Sequence, residues 1–245
     1  MCLCTLALSG ALAQQDAQRI PPAYRGVRSL VSGVFVTPIP NAPFSGIVEV
    51  LSKEPLDDGT TYTRHTLEHI ARNTAGIIYN ERRMMMPPGF AGEPPLLSAH
   101  IYDPRTRQST LYNPETRVAR QIVLSGPPRP PAALAALGGP KDPLAKEEDL
   151  GLQTIAGLSL HGVRTSKTVT MALSGAQHAI VVTDEYWFSA DLSMYMIVKH
   201  NDPRSGEQIV AITQADRNEP DPARFAVPAG YRVVDETPVA DPATP

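Results

Sequence analysis

His65-Thr66-Leu67-Glu68-His69 is the one run in the chain whose residue types and spacing match a catalytic pattern. On a helix, two histidines four residues apart stand one above the other and can share a zinc ion. The glutamate between them is then placed to act as general base toward a metal-bound water. On a strand the same residues cannot cooperate: His65, Leu67 and His69 share one face and Glu68 turns to the other. The preceding Thr60-Thr61-Tyr62-Thr63 run favours strand, because β-branched and aromatic side chains suit a pleated surface. We therefore expect residues 61–72 to be a strand, with zinc chemistry at His65, Glu68 and His69 as the alternative.

The other candidates are weaker. No G-x-S-x-G elbow, Walker loop or G-x-G-x-x-G occurs in the sequence, so serine hydrolysis and nucleotide binding lack their usual anchors. His100, His161, His178 and His200 are scattered singly and read as surface or hydrogen-bonded histidines. Asp184-Glu185-Tyr186-Trp187 puts two carboxylates next to each other on an expected strand, where neighbours point to opposite faces and cannot form an acid/base pair. Trp187 reads first as a core anchor, and in a functional reading as an aromatic platform. Met84-Met85-Met86-Pro87-Pro88-Gly89-Phe90 joins adaptable apolar side chains to a proline loop. Met84, Met86 and Phe90, with Trp187, are our candidates for contacting an apolar ligand.

The elements that must carry these residues are short and β-rich. Of the 25 prolines, 19 fall in clusters, at 37–43, 84–95, 126–131, 138–143 and from 219 onward, and these stretches cannot be helix interiors or central strands. Between them lie segments rich in Val, Ile, Thr and Tyr, separated by turn residues. Asp57-Asp58-Gly59, Asn73-Thr74-Ala75-Gly76 and Asn201 to Gly206 are expected turns, since Asn and Gly tolerate the backbone that tight turns demand. Residues 125–148 read as one long loop, with a short helix over 131–137 as the best helical candidate. The expected fold is mainly β: a large curled antiparallel sheet, half-barrel-like, of about ten strands with few short helices.

Met1 to Ala13 carries no charge and ends in the small-x-small pattern Ala11-Leu12-Ala13, as in a secretory signal peptide. The positive segment that usually opens such a signal is missing, and we expect a few residues to precede Met1. Both cysteines, Cys2 and Cys4, lie within this segment, so its removal leaves a thiol-free chain that must rely on its core. The expected organisation is a signal peptide at 1–13, a flexible segment at 14–30, one β-rich domain at 31–234 and a flexible tail at 235–245. A net charge of −3 argues against a nucleic-acid partner, and no window after residue 20 resembles a membrane span. The expected location is outside the cytoplasm, periplasmic or extracellular.

Three resemblances bear on function. The phrase His65-Thr66-Leu67-Glu68-His69-Ile70 resembles the signature of pitrilysin-type zinc peptidases, which implies a further acidic ligand downstream, at the distance of Glu147 or Glu148. The phrases Asp149 to Gly157, Asp184 to Ser189, Asp202 to Glu207, Glu219 to Pro222 and Phe225 to Tyr231 resemble a group of exported bacterial proteins of unassigned function. The Phe225-x-Val227-Pro228-x-Gly230-Tyr231 tail after successive strands is similar, in layout, to the curled sheets of periplasmic lipoprotein carriers and sigma-factor regulators (LolA/RseB-like). That layout implies an apolar face able to hold acyl chains. The leading expectation is an exported binding protein without catalytic activity or cofactor, for an apolar ligand or a partner in the cell envelope.

Overall fold

A computed structural model describes residues 34, 36–125, 145–155, 157–174 and 178–238, which all belong to one compact unit, Val31–Pro245. The expected signal peptide, the flexible segment at 14–30 and the helix candidate at 131–137 lie outside the described residues.

The strands are β1 (Phe44–Pro55), β2 (Thr61–Arg72), β3 (Ile78–Arg83), β4 (Leu96–Asp103), β5 (Gln108–Asn113) and β6 (Val118–Val123), then β7 (Ala145–Ile155), β8 (Leu158–Val169), β9 (Ile180–Ser189), β10 (Met194–Asp202), β11 (Gly206–Asp216) and β12 (Arg232–Asp235). One short helix, α1 (Met171–Ser174), and a 3-10 turn at Pro222–Phe225 complete the described elements. All twelve strands form one curled sheet that does not close, in the order β12-β6-β5-β4-β3-β2-β1-β11-β10-β9-β8-β7. The curled, mainly β expectation holds, with two strands more than anticipated. Local signals set most of this order: β1 to β6 and β7 to β11 are two runs of adjacent antiparallel hairpins, joined where β1 pairs with β11.

Two details depart from the sequence reading. Ala145 to Glu148 belong to β7 rather than to a loop, because their polar side chains suit a sheet edge and their backbone pairs with Arg164 to Lys167. β12 pairs with β6 in parallel, since the chain must cross the sheet before it returns. That crossing is built from Asp221, whose carboxylate accepts the Ala223 N–H at 2.9 Å and caps the turn, with Pro222 at its first position.

The crossing segment covers one face of β2 to β6. Phe225, Val227 and Tyr231 pack on Ala71, Tyr79, Ala99, Ile101, Tyr112 and Ala119, with the rings of Tyr112 and Tyr231 edge-to-face at 5.2 Å. The larger core lies around β1, β2 and β8 to β11, and includes Phe44, Val48, Ile70, Leu160, Trp187, Met194, Val198 and Val210. Its floor is tied by Arg72, wholly buried, which donates to the carbonyls of Ala42 and Thr37 (both 2.7 Å) and Leu192 (3.1 Å) and stacks on Phe44. Burial lowers the Arg72 guanidinium to about 10, still a cation at neutral pH. Gly76 closes the β2–β3 turn with φ +82°, and a side chain there would press on the Ile39 backbone.

Candidate functional site

Residues 61–72 form strand β2, as their composition led us to expect. In the ladder with β1, His65 lies opposite Leu51 and His69 opposite Ile47, while Glu68 lies opposite Val48. The two histidines therefore share one sheet face and Glu68 belongs to the other. Glu147 is on β7, six strand positions away in the sheet order. Among the described residues no group of three or more His, Cys, Asp or Glu is placed to hold a metal ion.

What these residues do instead is bridge a gap in the sheet. β2 and β3 pair at Arg72↔Ile78, Ala71↔Tyr79 and Ile70↔Asn80, then part, and meet again only where His65 and Met86 exchange backbone bonds of 2.8 and 2.7 Å. Across the parted stretch each strand lends a carboxylate to the other. Glu81 Oε2 accepts the His69 backbone N–H at 3.0 Å, and Glu68 Oε1 accepts the Arg83 N–H at 3.3 Å. Side chains thus satisfy amides that the broken ladder leaves over.

The two carboxylates differ sharply. Burial pushes Glu68 up, offset only in part by the Arg82 charge and the Arg83 amide. Burial would raise Glu81 too, but hydrogen bonds from the Arg83 guanidinium (2.6 Å), the Tyr79 hydroxyl (2.7 Å) and the His69 amide hold it below the ordinary glutamate value. Arg83 also reaches Glu93 at 2.8 Å, and His69 Nε2 lies 3.5 Å from the same carboxylate. Burial, with the bonds to Tyr112 and Glu81, drives the Tyr79 phenol far upward, so it stays protonated. Glu81 has its oxygens committed and Tyr79 keeps its proton. Through these bonds Glu81 and Tyr79 position the strands. The sequence reading missed this network, although Tyr79-x-Glu81-x-Arg83 has the alternation that puts three residues on one face.

A second hub surrounds Trp187, which is only 5% exposed. Its indole N–H donates to Glu185 Oε1 at 2.7 Å and its ring lies over Gly162. Glu185 also receives Lys199 (2.7 Å) and Arg164 (2.9 Å), and Arg164 continues to Glu148 at 3.3 Å. Burial alone would raise Glu185; Lys199, Trp187 and Arg164 together hold it down at about 2. The neighbouring Asp184 faces the other way and meets His200 at 2.7 Å. The remaining single histidines are likewise partnered where a partner is seen: His100 with Ser109 at 2.9 Å and His161 with Asp149 at 2.8 Å.

The four candidate ligand residues are not gathered at one point. Met84, Met86 and Phe90 lie on the loop after β3, Met86 at the edge of β2; Trp187 is on β9. The register nevertheless puts the ends of this array on one face. Rows across it read Met86–His65–Leu51–Ile209–Lys199 and Leu67–Glu49–Ala211–Ile197–Trp187. From β3 to β9 is five strand steps in the sheet order, about 24 Å along the sheet at the usual strand spacing. Leu51, Ile209 and Ala211 are half-buried, Leu67 is exposed, and none of the four belongs to either core cluster.

No protein-family profile matches the chain, and no curated protein does. Solved structures similar to it include an uncharacterised conserved protein from Thermus thermophilus, 10% identical, with 80% of this chain and 91% of that one covered and a TM-score of 0.40. MucB from Pseudomonas aeruginosa, in complex with MucA, is 13% identical over 78% of this chain and 58% of its own, at 0.39. A LolA superfamily protein from Nitrosomonas europaea is 9% identical over 77% and 91%, at 0.29. The names match the layout resemblance drawn from the strands and tail. A likeness of this strength carries no ligand or partner across.

Proposed function

We propose that this chain is an exported binding protein of the cell envelope, not an enzyme, that holds an apolar ligand or an apolar segment of a partner against its sheet. The observation behind this reading is the face that runs from Met86 to Trp187, where Leu67, Leu51, Ile209, Ala211 and Ile197 lie in adjacent rows outside or at the margin of the core. Apolar side chains left half-exposed across several central strands gain from a ligand that covers them, at roughly 25 cal/mol per Å². Met84, Met86 and Phe90 would border the ligand at one end, and Trp187 would form its floor at the other.

Native mass spectrometry and solvent extraction of protein purified without detergent test the reading directly. Co-purified acyl or other apolar molecules are expected, and Leu51→Glu with Ile209→Glu should release them while leaving the fold intact. Protein that is always empty, and that takes up no apolar fluorescent probe, would overturn the ligand form and leave a partner protein as the occupant.

A further inference from the structure

Each of the hairpin tips at Asp57-Asp58, Asp103 to Arg105, Glu115 to Arg117 and Asp202 to Arg204 carries charge. The longer β8–β9 hairpin, like the short β2–β3 turn at Asn73 to Gly76, carries none: from Thr168 to Thr183 the sequence contains no Asp, Glu, Lys or Arg. Its tip exposes apolar side chains to an unusual degree, Leu173 at 77%, Met171 at 60% and Val181 at 48%.

The tip also projects. β10 last pairs with β9 at Asn201↔Thr183, whereas β8 and β9 continue to pair at Lys167↔Val182, Thr168↔Val181 and Val169↔Ile180. Those three further rungs carry the β8–β9 ladder about 10 Å past its last pair with β10. It is preformed as well. Thr170 O accepts the N–H groups of Leu173 (3.0 Å) and Ser174 (2.9 Å), and the buried Ser174 hydroxyl bonds Met171 O and His178 O at 3.2 Å each. This fixed turn leaves Met171 and Leu173 on the surface without the entropy cost of ordering a loose loop.

We propose that this tip, Thr170 to Ser174 with Val181 beside it, docks the protein on a lipid bilayer by inserting Met171 and Leu173 into the interface. A protein partner suits the geometry less well, because a specific interface takes about 800 Å² from each side and the end of one hairpin offers far less. A bilayer needs only a short apolar projection free of charge, since any charge carried into it is costly. Thr168, Thr170 and His178 provide polar groups at the depth of the headgroups.

The test is sedimentation of the full chain with phosphatidylcholine vesicles, chosen because they are uncharged overall. Wild type is expected to pellet with the vesicles, and raising salt to about 0.5 M should not release it, since the attraction is apolar rather than electrostatic. Leu173→Ser and Met171→Ser should each lower the bound-to-free ratio about tenfold with unchanged melting, as expected for a single large apolar side chain at an exposed position. In a Leu173→Trp variant, the fluorescence of the added indole should shift to the blue only when vesicles are present. Wild type that does not pellet, release by salt, or serine variants that bind as wild type does would each overturn the proposal. So would self-association of wild type without vesicles that Leu173→Ser abolishes, which would make a second copy the occupant.

Discussion

Arg72→Met probes the tie that holds the core floor together. The side chain has no solvent exposure and donates to three backbone carbonyls, those of Thr37 and Ala42 ahead of β1 and of Leu192 in the β9–β10 turn. Methionine fills much of the volume but supplies no donor. Each deprived buried carbonyl costs about 1–3 kcal/mol, and the contact with the Phe44 ring, 5.1 Å from the guanidinium carbon, adds about 1 kcal/mol. Against this stands the cost of keeping a cation out of water, several kcal/mol, which the substitution returns. The balance is a loss of about 3 kcal/mol. For a domain of this size that lowers the melting temperature by about 6–12 °C. Urea unfolding followed by circular dichroism measures the loss, and hydrogen exchange should show faster opening of Asn41 and its neighbours, whose N–H bonds Thr74 O. Arg72→Lys, which keeps the charge and loses the planar fork, should fall between the two. A loss below about 1 kcal/mol, or one without faster exchange in that segment, would refute the tie.

Further expectations follow from the carboxylates and one glycine. Because the Glu68 carboxyl is raised in the folded protein, its contribution is most favourable when protonated and is lost as pH rises through the folded value. Glu68→Gln should therefore raise the urea midpoint at pH 7 by up to about 1 kcal/mol in stability, and a decrease would contradict the burial argument. Glu185 has the opposite sign: its stabilisation is complete above the ordinary glutamate value of 4.5 and is lost as pH falls toward about 2. Allowing for the solvent-exposed ends of Lys199 and Arg164, about 2 kcal/mol is at stake, and Glu185→Gln should flatten the acid limb of a stability–pH curve. Gly162→Ala would put a methyl group 2.6 Å from the Trp187 ring, and should cost about 1–3 kcal/mol with a red shift in tryptophan emission.

Local patterning was legible because it is set by neighbours in the chain. The threonine-rich approach to His65 favoured strand over helix, and β2 is a strand; Asn73 to Gly76 and Asn201 to Gly206 have turn chemistry, and both are turns between adjacent strands. The same alternation places Glu68 on the face opposite His65 and His69, and the pairing with β1 keeps it there. The strand at Ala145 to Glu148 was missed, because an exposed edge strand needs no apolar alternation to signal it.

What the tertiary structure alone decided is where side chains from distant strands meet. Nothing near Glu68 or Glu81 in the chain indicates that β2 and β3 part and that each strand's carboxylate takes up the other's amide. Nothing around Arg72 announces carbonyls 30, 35 and 120 residues away as its partners. The His65-Thr66-Leu67-Glu68-His69 run shows the division most plainly. Residue types and spacing determined that it had to be a helix to do zinc chemistry and that it favoured strand; pairing with β1 and the gap beside β3 turned its glutamate and one histidine to holding a sheet together. A periodicity belongs to the chain, but a partner depends on how the strands fold back on one another.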